Sequence, residues 1–275
     1  MQRPRVQRMF QASPDPSGGV AQRHRGQGPA APFPHSRIAM PRHVLLNNVD
    51  HRDLTVDTGH GAALGEAVMS APTFPAEFRN VQSHYPIVFH RDGQGRYQPL
   101  ALFGLRKGEN LFLDGTRWDA AYVPLAMERQ PFLIGGSGDG LAIHIDLDSP
   151  RVGNGKGQAV FLEHGGNTEF LERMRSILDT LHQGMRDTAA FVDSLQQHDL
   201  LESFVLDVEL DDGSHNRLAG FHTINEERLG ELDGATLQAW NRSGFLQAVY
   251  MAMASLSNFR GLIERMNAHV RAAGR

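Results

Sequence analysis

The sequence predicts an α+β fold in which a mostly antiparallel sheet of short strands packs against two or three long C-terminal amphipathic helices. Two observations support this prediction. Between residues 85 and 146, glycines separate short runs rich in Val, Ile, Leu, Phe and Tyr, a pattern typical of strands joined by tight turns. Beyond residue 168, apolar residues recur at three- and four-residue steps, the period of an amphipathic helix.

Residues 1–39 differ in composition from the rest of the chain. They contain six Arg against one Asp, together with six Pro and four Gly, and they show no apolar periodicity. Such a segment buries too little apolar surface to offset the entropy of ordering it. We therefore expect a disordered leader followed by a single globular domain over residues 40–275. A start at Met40 is the preferred explanation, and a basic tail or targeting leader is the alternative.

The candidate strands of the middle region are short and mostly apolar throughout. Continuous apolar runs favour strands that are covered on both faces. The runs span residues 87–89, 100–105, 111–113, 132–134, 141–145 and 159–162.

The second half of the chain predicts helices and one hairpin. Apolar residues over 170–195 predict a long amphipathic helix, capped by Asn167 or Thr168. Alternation over 204–210, a turn at 211–213 and a return over 218–224 predict a β-hairpin. Residues 236–269 again show helical spacing, with a break near Ser243 and Gly244.

Composition excludes several classes of function. The chain contains no cysteine, which removes disulfides and thiolate chemistry. Without residues 1–39 it carries 21 basic and 30 acidic side chains, so nucleic acid and anionic membrane surfaces are not expected partners. No apolar run approaches the roughly 20 residues of a membrane span. No signal-peptide core follows the first basic residues, so a cytoplasmic location is expected.

Two glycine clusters match no phosphate-binding motif. They are "GGSGDG" at 135–140 and "GNGKGQ" at 153–158, and Leu141 and Gln158 stand where a third glycine would be required. Ser137 fails the nucleophile-elbow pattern because Asp139 replaces its last glycine. We interpret both clusters as turns.

One set of residues could bind a metal. His144 and Asp146 are two apart on a predicted strand and so face the same side, and His222 on the hairpin is a candidate third ligand. Two His and one carboxylate are the ligands of non-haem Fe(II), and Arg228 could anchor a 2-oxo acid co-substrate. Histidines that only form hydrogen bonds at strand ends are the commoner alternative.

Between about residue 44 and about residue 267 the chain contains an ordered series of motifs. They are "YPIVF" (85–89), "LALFGL" (100–105), "ENLFLDGTRW" (109–118), "YVP" (122–124), "PFLIG" (131–135) and "LQAWNRSGFLQAVYMAMASLSN" (237–258). This series resembles the bacterial SapC-like family, which is associated with surface-layer (S-layer) proteins. Relatives tend to have a second basic residue and an aromatic before the "PF" pair, where this sequence has only Arg129.

The resemblance implies a role in a surface layer, or in its export and assembly. The leading hypothesis is a non-enzymatic, cofactor-free protein that binds a protein or peptide of the cell envelope, with homo-oligomer formation left open. Its groove would be formed by Tyr85, Trp118, Tyr122 and Arg129, although aromatic residues of this kind more often pack in the interior. The alternative is the iron-dependent oxygenase, or an accessory protein to a halogenase or cupin-type enzyme.

Overall fold

The computed structural model describes residues 42–137, 140–153 and 155–273. The predicted leader, the start at Met40 and the Asp139 position of the elbow pattern lie outside these residues. The strands in chain order are β1 (His43–Leu45), β2 (Thr55–Val56), β3 (Ser70–Pro72), β4 (Ile87–Arg91), β5 (Tyr97–Leu102), β6 (Leu113–Asp114), β7 (Arg117–Trp118), β8 (Phe132–Ser137), β9 (Gly140–Asp146), β10 (Gln158–Ala159), β11 (Leu201–Glu209) and β12 (His215–Ile224).

The helices of the first half of the chain are short, and all the longer helices lie in the second half. They are α1 (Phe78–Val81), α2 (Leu125–Glu128), α3 (Glu169–Gln197), α4 (Glu226–Gly230), α5 (Gly234–Ser243), α6 (Phe245–Ser255) and α7 (Phe259–Ala273). Two 3-10 turns, Ala62–Leu64 and Leu256–Asn258, complete the set.

All described strand pairs are antiparallel. The main sheet has five strands in the order β11-β12-β4-β5-β3, and a second sheet has three in the order β1-β9-β8. Two small ribbons pair β10 with β2 and β6 with β7. The predicted hairpin is confirmed as β11 and β12, and its turn is stabilised by a hydrogen bond from Ser214 N to the Asp212 carboxylate.

Helix α3 bridges the two larger sheets, because it contacts β8 in one and β5 in the other. It begins where the sequence predicts: the Thr168 hydroxyl accepts a hydrogen bond from Leu171 N at 3.3 Å, satisfying one of the free N–H groups of the first turn. A buried glycine, Gly184, lies within this helix, and a β-carbon there would come within 2.2 Å of the Phe74 ring. The glycine is therefore explained by close packing.

The C-terminal helices cover the five-stranded sheet. Helix α5 ends at Ser243, and Gly244 adopts a left-handed conformation (φ 79°), which confirms the predicted break. Helix α6 then packs on β12, β4 and α1. The predicted α+β fold class, with antiparallel sheets packed against long helices, is confirmed.

Two strand predictions are largely wrong. Of residues 111–113 only Leu113 is in a strand, because the Asn110 side chain accepts a hydrogen bond from Phe112 N and holds the segment in a turn. Of residues 159–162 only Ala159 is in a strand. Leu111, Phe112, Val160 and Phe161 are buried outside regular strands, which periodicity does not distinguish from short strands.

The buried apolar side chains form one cluster that extends from Val56 to Met266. Tyr85, Phe74, Phe89, Phe103 and Phe191 are among the largest side chains that are completely enclosed in it. Among the described residues, no helix combines the length and the apolar character that crossing a bilayer requires.

Candidate functional site

A cavity of about 670 Å³ opens beside the first turns of α3. We call it the Glu66 cavity, after the buried carboxylate in its wall. Apolar and charged side chains line it together, among them His60, Glu66, Tyr122, Arg151, Glu169 and Phe170. Concave sites with a few convergent polar groups are the default candidates for ligand binding.

Glu66 is the most enclosed charged residue of the cavity wall, at 1% exposure. Its carboxylate accepts three hydrogen bonds: from Arg151 Nη2 at 2.6 Å, from Gly61 N at 2.8 Å and from His60 Nδ1 at 3.0 Å. Buried carboxylates need such donors, since an unpaired buried charge is costly. The three donors fix the position of the carboxylate.

Arg151 is itself 4% exposed and forms an ion pair with Glu66. Its Nη1 donates to the main-chain carbonyls of Asp57 and Gly59, at 3.1 and 2.8 Å. Its Nε is enclosed without a hydrogen-bond partner among the described residues. An unpaired buried donor costs about 1–3 kcal/mol. Apolar side chains of similar volume could therefore fill this part of the interior without that loss of folding stability.

Close main-chain pairing brings Arg151 to Glu66 across 85 residues of sequence. Val152 forms an isolated bridge with Val56, and Asp57 N donates to Arg151 O at 2.8 Å. Strand β10 pairs with β2 immediately afterwards. Between them Gly157 has a φ of 99°, and a β-carbon there would lie 2.0 Å from Val56 O, so only glycine fits.

His60 connects this buried network to the open part of the cavity. Its Nδ1 faces Glu66, its ring centroid lies 5.9 Å from that of Trp118, and its side chain is 32% exposed. A carboxylate only accepts hydrogen bonds, so Nδ1 carries a proton, and in the neutral form of the ring Nε2 keeps a lone pair. No described residue bonds Nε2. His60 can therefore accept a hydrogen bond, or a proton, from a bound group.

On the other side of the cavity, a second buried carboxylate fixes the segment that carries Tyr122. Glu77 accepts hydrogen bonds from Thr73 Oγ1 (2.7 Å), Tyr122 Oη (2.8 Å) and Leu125 N (2.7 Å). Burial nevertheless raises the pKa of Glu77, because desolvation outweighs these bonds. Burial, together with the neighbouring Glu77 carboxylate, also raises the pKa of Tyr122.

Comparison with known proteins identifies the family. The SapC family model matches residues 46–262, most of the chain. The chain belongs to the SapC family. Searches of curated proteins and of solved structures find no match. The resemblance expected from the sequence motifs is thereby confirmed, and both Glu66 and Arg151 of this SapC chain lie within the matched range.

The four predicted binding residues of the SapC chain do not form one groove. Tyr85 and Trp118 are 0% and 5% exposed and belong to the core, which is the interior role that the sequence analysis gave as the commoner one for such aromatics. Trp118 Nε1 donates to Tyr85 Oη at 2.7 Å, and Tyr85 Oη donates to the Tyr122 carbonyl. Of the four, only Tyr122 lines the Glu66 cavity. Arg129 donates to the Phe132 carbonyl at 2.6 Å, and burial lowers its pKa.

The structure also does not bring the three predicted metal ligands together. His144 and Asp146 lie on β9 of the three-stranded sheet, whereas His222 lies on β12 of the five-stranded sheet. Asp146 accepts from Asp148 N, and His222 packs against the Tyr97 ring at 4.8 Å. Within residues 42–137, 140–153 and 155–273, no group of three or more His, Asp or Glu is arranged to hold a metal ion. Arg228 pairs instead with Glu231 on its own helix.

Sequence reasoning missed His60, Glu66 and Arg151. His60 and Glu66 lie in a stretch with little secondary structure, between β2 and β3, and Arg151 lies just before the glycine-rich loop. The glycine-rich loop at 153–158 is the one feature of the sequence that could have pointed to Arg151. Several glycines next to an arginine indicate a close main-chain approach, as well as a turn.

Proposed function

We propose that this SapC-family chain is a non-enzymatic binding protein that holds a segment of a surface-layer or other envelope protein in the Glu66 cavity. The observation that carries the proposal is the buried Glu66–Arg151 pair with His60 beside it. Replacing such a pair by apolar side chains is often neutral or stabilising, so its presence in a cavity wall is better explained by binding than by folding. The family's association with surface-layer proteins supports the choice of partner.

The shape and chemistry of the cavity support binding of an extended segment. Its volume of about 670 Å³ is in the range of sites for ligands much larger than one side chain. Phe170 and Met174 contribute apolar wall, while His60 and Glu169 contribute polar groups. Glu66 and Arg151 are paired with each other in the wall, which leaves His60 and Glu169 to contact a bound segment.

Photocrosslinking in cells that naturally express the protein tests this function. Gln158 is exposed and lines the cavity, so a photoreactive phenylalanine derivative placed there should capture a bound segment. Asp207 on β11 is exposed and is not part of the lining, so the same derivative there is the matched control. Mass spectrometry should identify a surface-layer or envelope protein at position 158 and not at position 207. The same proteins at both positions, or no envelope protein at 158, would overturn the proposal.

A further inference from the structure

We infer that the Glu66 cavity recognises a primary ammonium group on an alkyl stem, as in a lysine side chain of the bound segment. This inference rests on the proposed function for the source of the lysine, and on the geometry of the cavity for its chemistry.

The cationic side chains of the lining are already engaged. Arg151 is directed to Glu66 and to two main-chain carbonyls, and its Nε is sealed from the cavity. Arg173 is ion-paired with Glu128 across the rim. An anionic ligand beside either arginine would therefore face a carboxylate that is already paired with it, which disfavours carboxylates and phosphates.

The acceptors of the lining are free. In the neutral form of His60, with the proton on Nδ1 facing Glu66, Nε2 carries a lone pair, and the ring is one-third exposed. Glu169 lines the cavity at the first turn of α3, is exposed, and forms no ion pair with a described residue. With Glu66 and Glu128 paired, the charge that remains in the cavity is the negative charge of Glu169. A cationic hydrogen-bond donor matches both groups.

The apolar part of the wall selects among cationic donors. Val123, Met127, Phe170 and Met174 line the same cavity. A lysine side chain buries its four-carbon stem against apolar surface and keeps its charged end among polar groups. An ammonium also fits one imidazole and one carboxylate better than a guanidinium, whose planar donors suit bidentate pairing with a single carboxylate.

Binding of small probes to the full-length protein tests the chemistry directly, with nuclear magnetic resonance shifts of the cavity residues as the readout. The probes are N-acetyl-lysine N-methylamide, its norleucine counterpart, which has the stem without the ammonium, and n-butylamine, which has the ammonium without the peptide group. We expect the lysine compound to bind at the cavity, n-butylamine to bind more weakly and the norleucine compound not to bind. Binding of the norleucine compound as tight as that of the lysine compound, or no binding of n-butylamine, would overturn the inference.

Variants identify the groups responsible. His60→Phe preserves a ring beside Trp118 and removes Nε2, and it should weaken lysine binding about ten- to a hundred-fold, the worth of a hydrogen bond to a charged group. Glu169→Gln should weaken it about two- to five-fold, since the side chain is exposed and screened. Glu172→Gln is the matched control, because Glu172 lies in the same helical turn but outside the lining.

The two proposals can fail separately. If envelope proteins crosslink at position 158 but Glu169→Gln and His60→Phe bind the lysine probe as the unmodified protein does, the inference fails and the proposed function stands. If the lysine probe binds as expected but no envelope protein crosslinks, the function fails and the ammonium site stands. Denaturation curves confirm that each variant is folded, and should His60→Phe not fold, the Glu169→Gln and Glu172→Gln pair decides the question.

Discussion

Breaking the Glu66–Arg151 pair from one side should be far more damaging than removing both charges. Arg151→Met leaves a carboxylate of 1% exposure without its cation, and Glu66→Gln leaves a guanidinium of 4% exposure without its anion. Removing one partner of a buried pair typically costs about 3–5 kcal/mol. The double variant leaves no uncompensated charge, although the carbonyls of Asp57 and Gly59 still lack a donor. We expect the double variant to be about 2–3 kcal/mol more stable than the sum of the single changes predicts.

Urea unfolding followed by tryptophan fluorescence measures the free energy of unfolding of all four members of this double-mutant cycle: the unmodified protein, the two single variants and the double variant. The exposed Arg217–Asp207 pair, with an N–O distance of 3.8 Å, is the control, and its coupling should be below about 0.5 kcal/mol. Salt should leave the Glu66–Arg151 coupling nearly unchanged, since buried charges are poorly screened. Additive costs at Glu66 and Arg151, within about 0.5 kcal/mol, would refute the view that this pair is an interdependent buried unit. Arg151→Lys provides a milder change if Arg151→Met does not fold.

Two further predictions concern the surroundings of the site. Because burial raises the pKa of Glu77 above its ordinary value of 4.5, the folded protein retains that proton more strongly than the unfolded chain. The stability of the unmodified protein relative to Glu77→Gln should therefore fall as pH rises from about 4.5 through the folded pKa, and a pH-independent difference in unfolding free energy would contradict this. Gly184→Ala should destabilise the protein by about 1–3 kcal/mol in the same urea assay, because the new β-carbon would clash with Phe74. Gly261→Ala is the control: it has open space around it and should stabilise the protein by up to about 1 kcal/mol. A Gly184→Ala variant as stable as the unmodified protein would show that the Phe74 ring moves aside without cost.

The long periodic elements could be predicted from the sequence because their signals are local. Apolar spacing over 170–195 predicts α3 to within two residues at either end, since apolar residues recur on one face in every turn of the helix. The β11–β12 hairpin likewise has alternation on both sides of an acidic turn ending in Gly213, which has a positive φ of 79°. Segments of two or three residues, such as β2 and β10, contain too few residues to show a period.

The site could not be predicted because its members are distant in sequence and belong to no repeating element. Glu66 and Arg151 look like ordinary charged residues in loops until pairing with Val56 brings the two segments together. Tyr85 and Trp118 attracted attention as possible binding aromatics, yet each hydrogen-bonds the other inside the core. A polar atom on an aromatic ring does not require exposure, since an internal partner satisfies it equally well.

The glycine-rich segment at 153–158 shows how a rejected motif can still carry information about function. Tested as a phosphate-binding loop it fails, and a turn is all that its pattern predicts. In the structure Gly157 lets the chain pass against Val56 more closely than any side chain would permit, at the point where β10 pairs with β2 and Gln158 lines the cavity. A β-carbon at position 157 would lie 2.0 Å from the Val56 carbonyl oxygen, so a substitution there would have to move β10 away from β2. Because Val56 also forms the bridge with Val152, next to Arg151, the same change would disturb the main chain beside the Glu66–Arg151 pair.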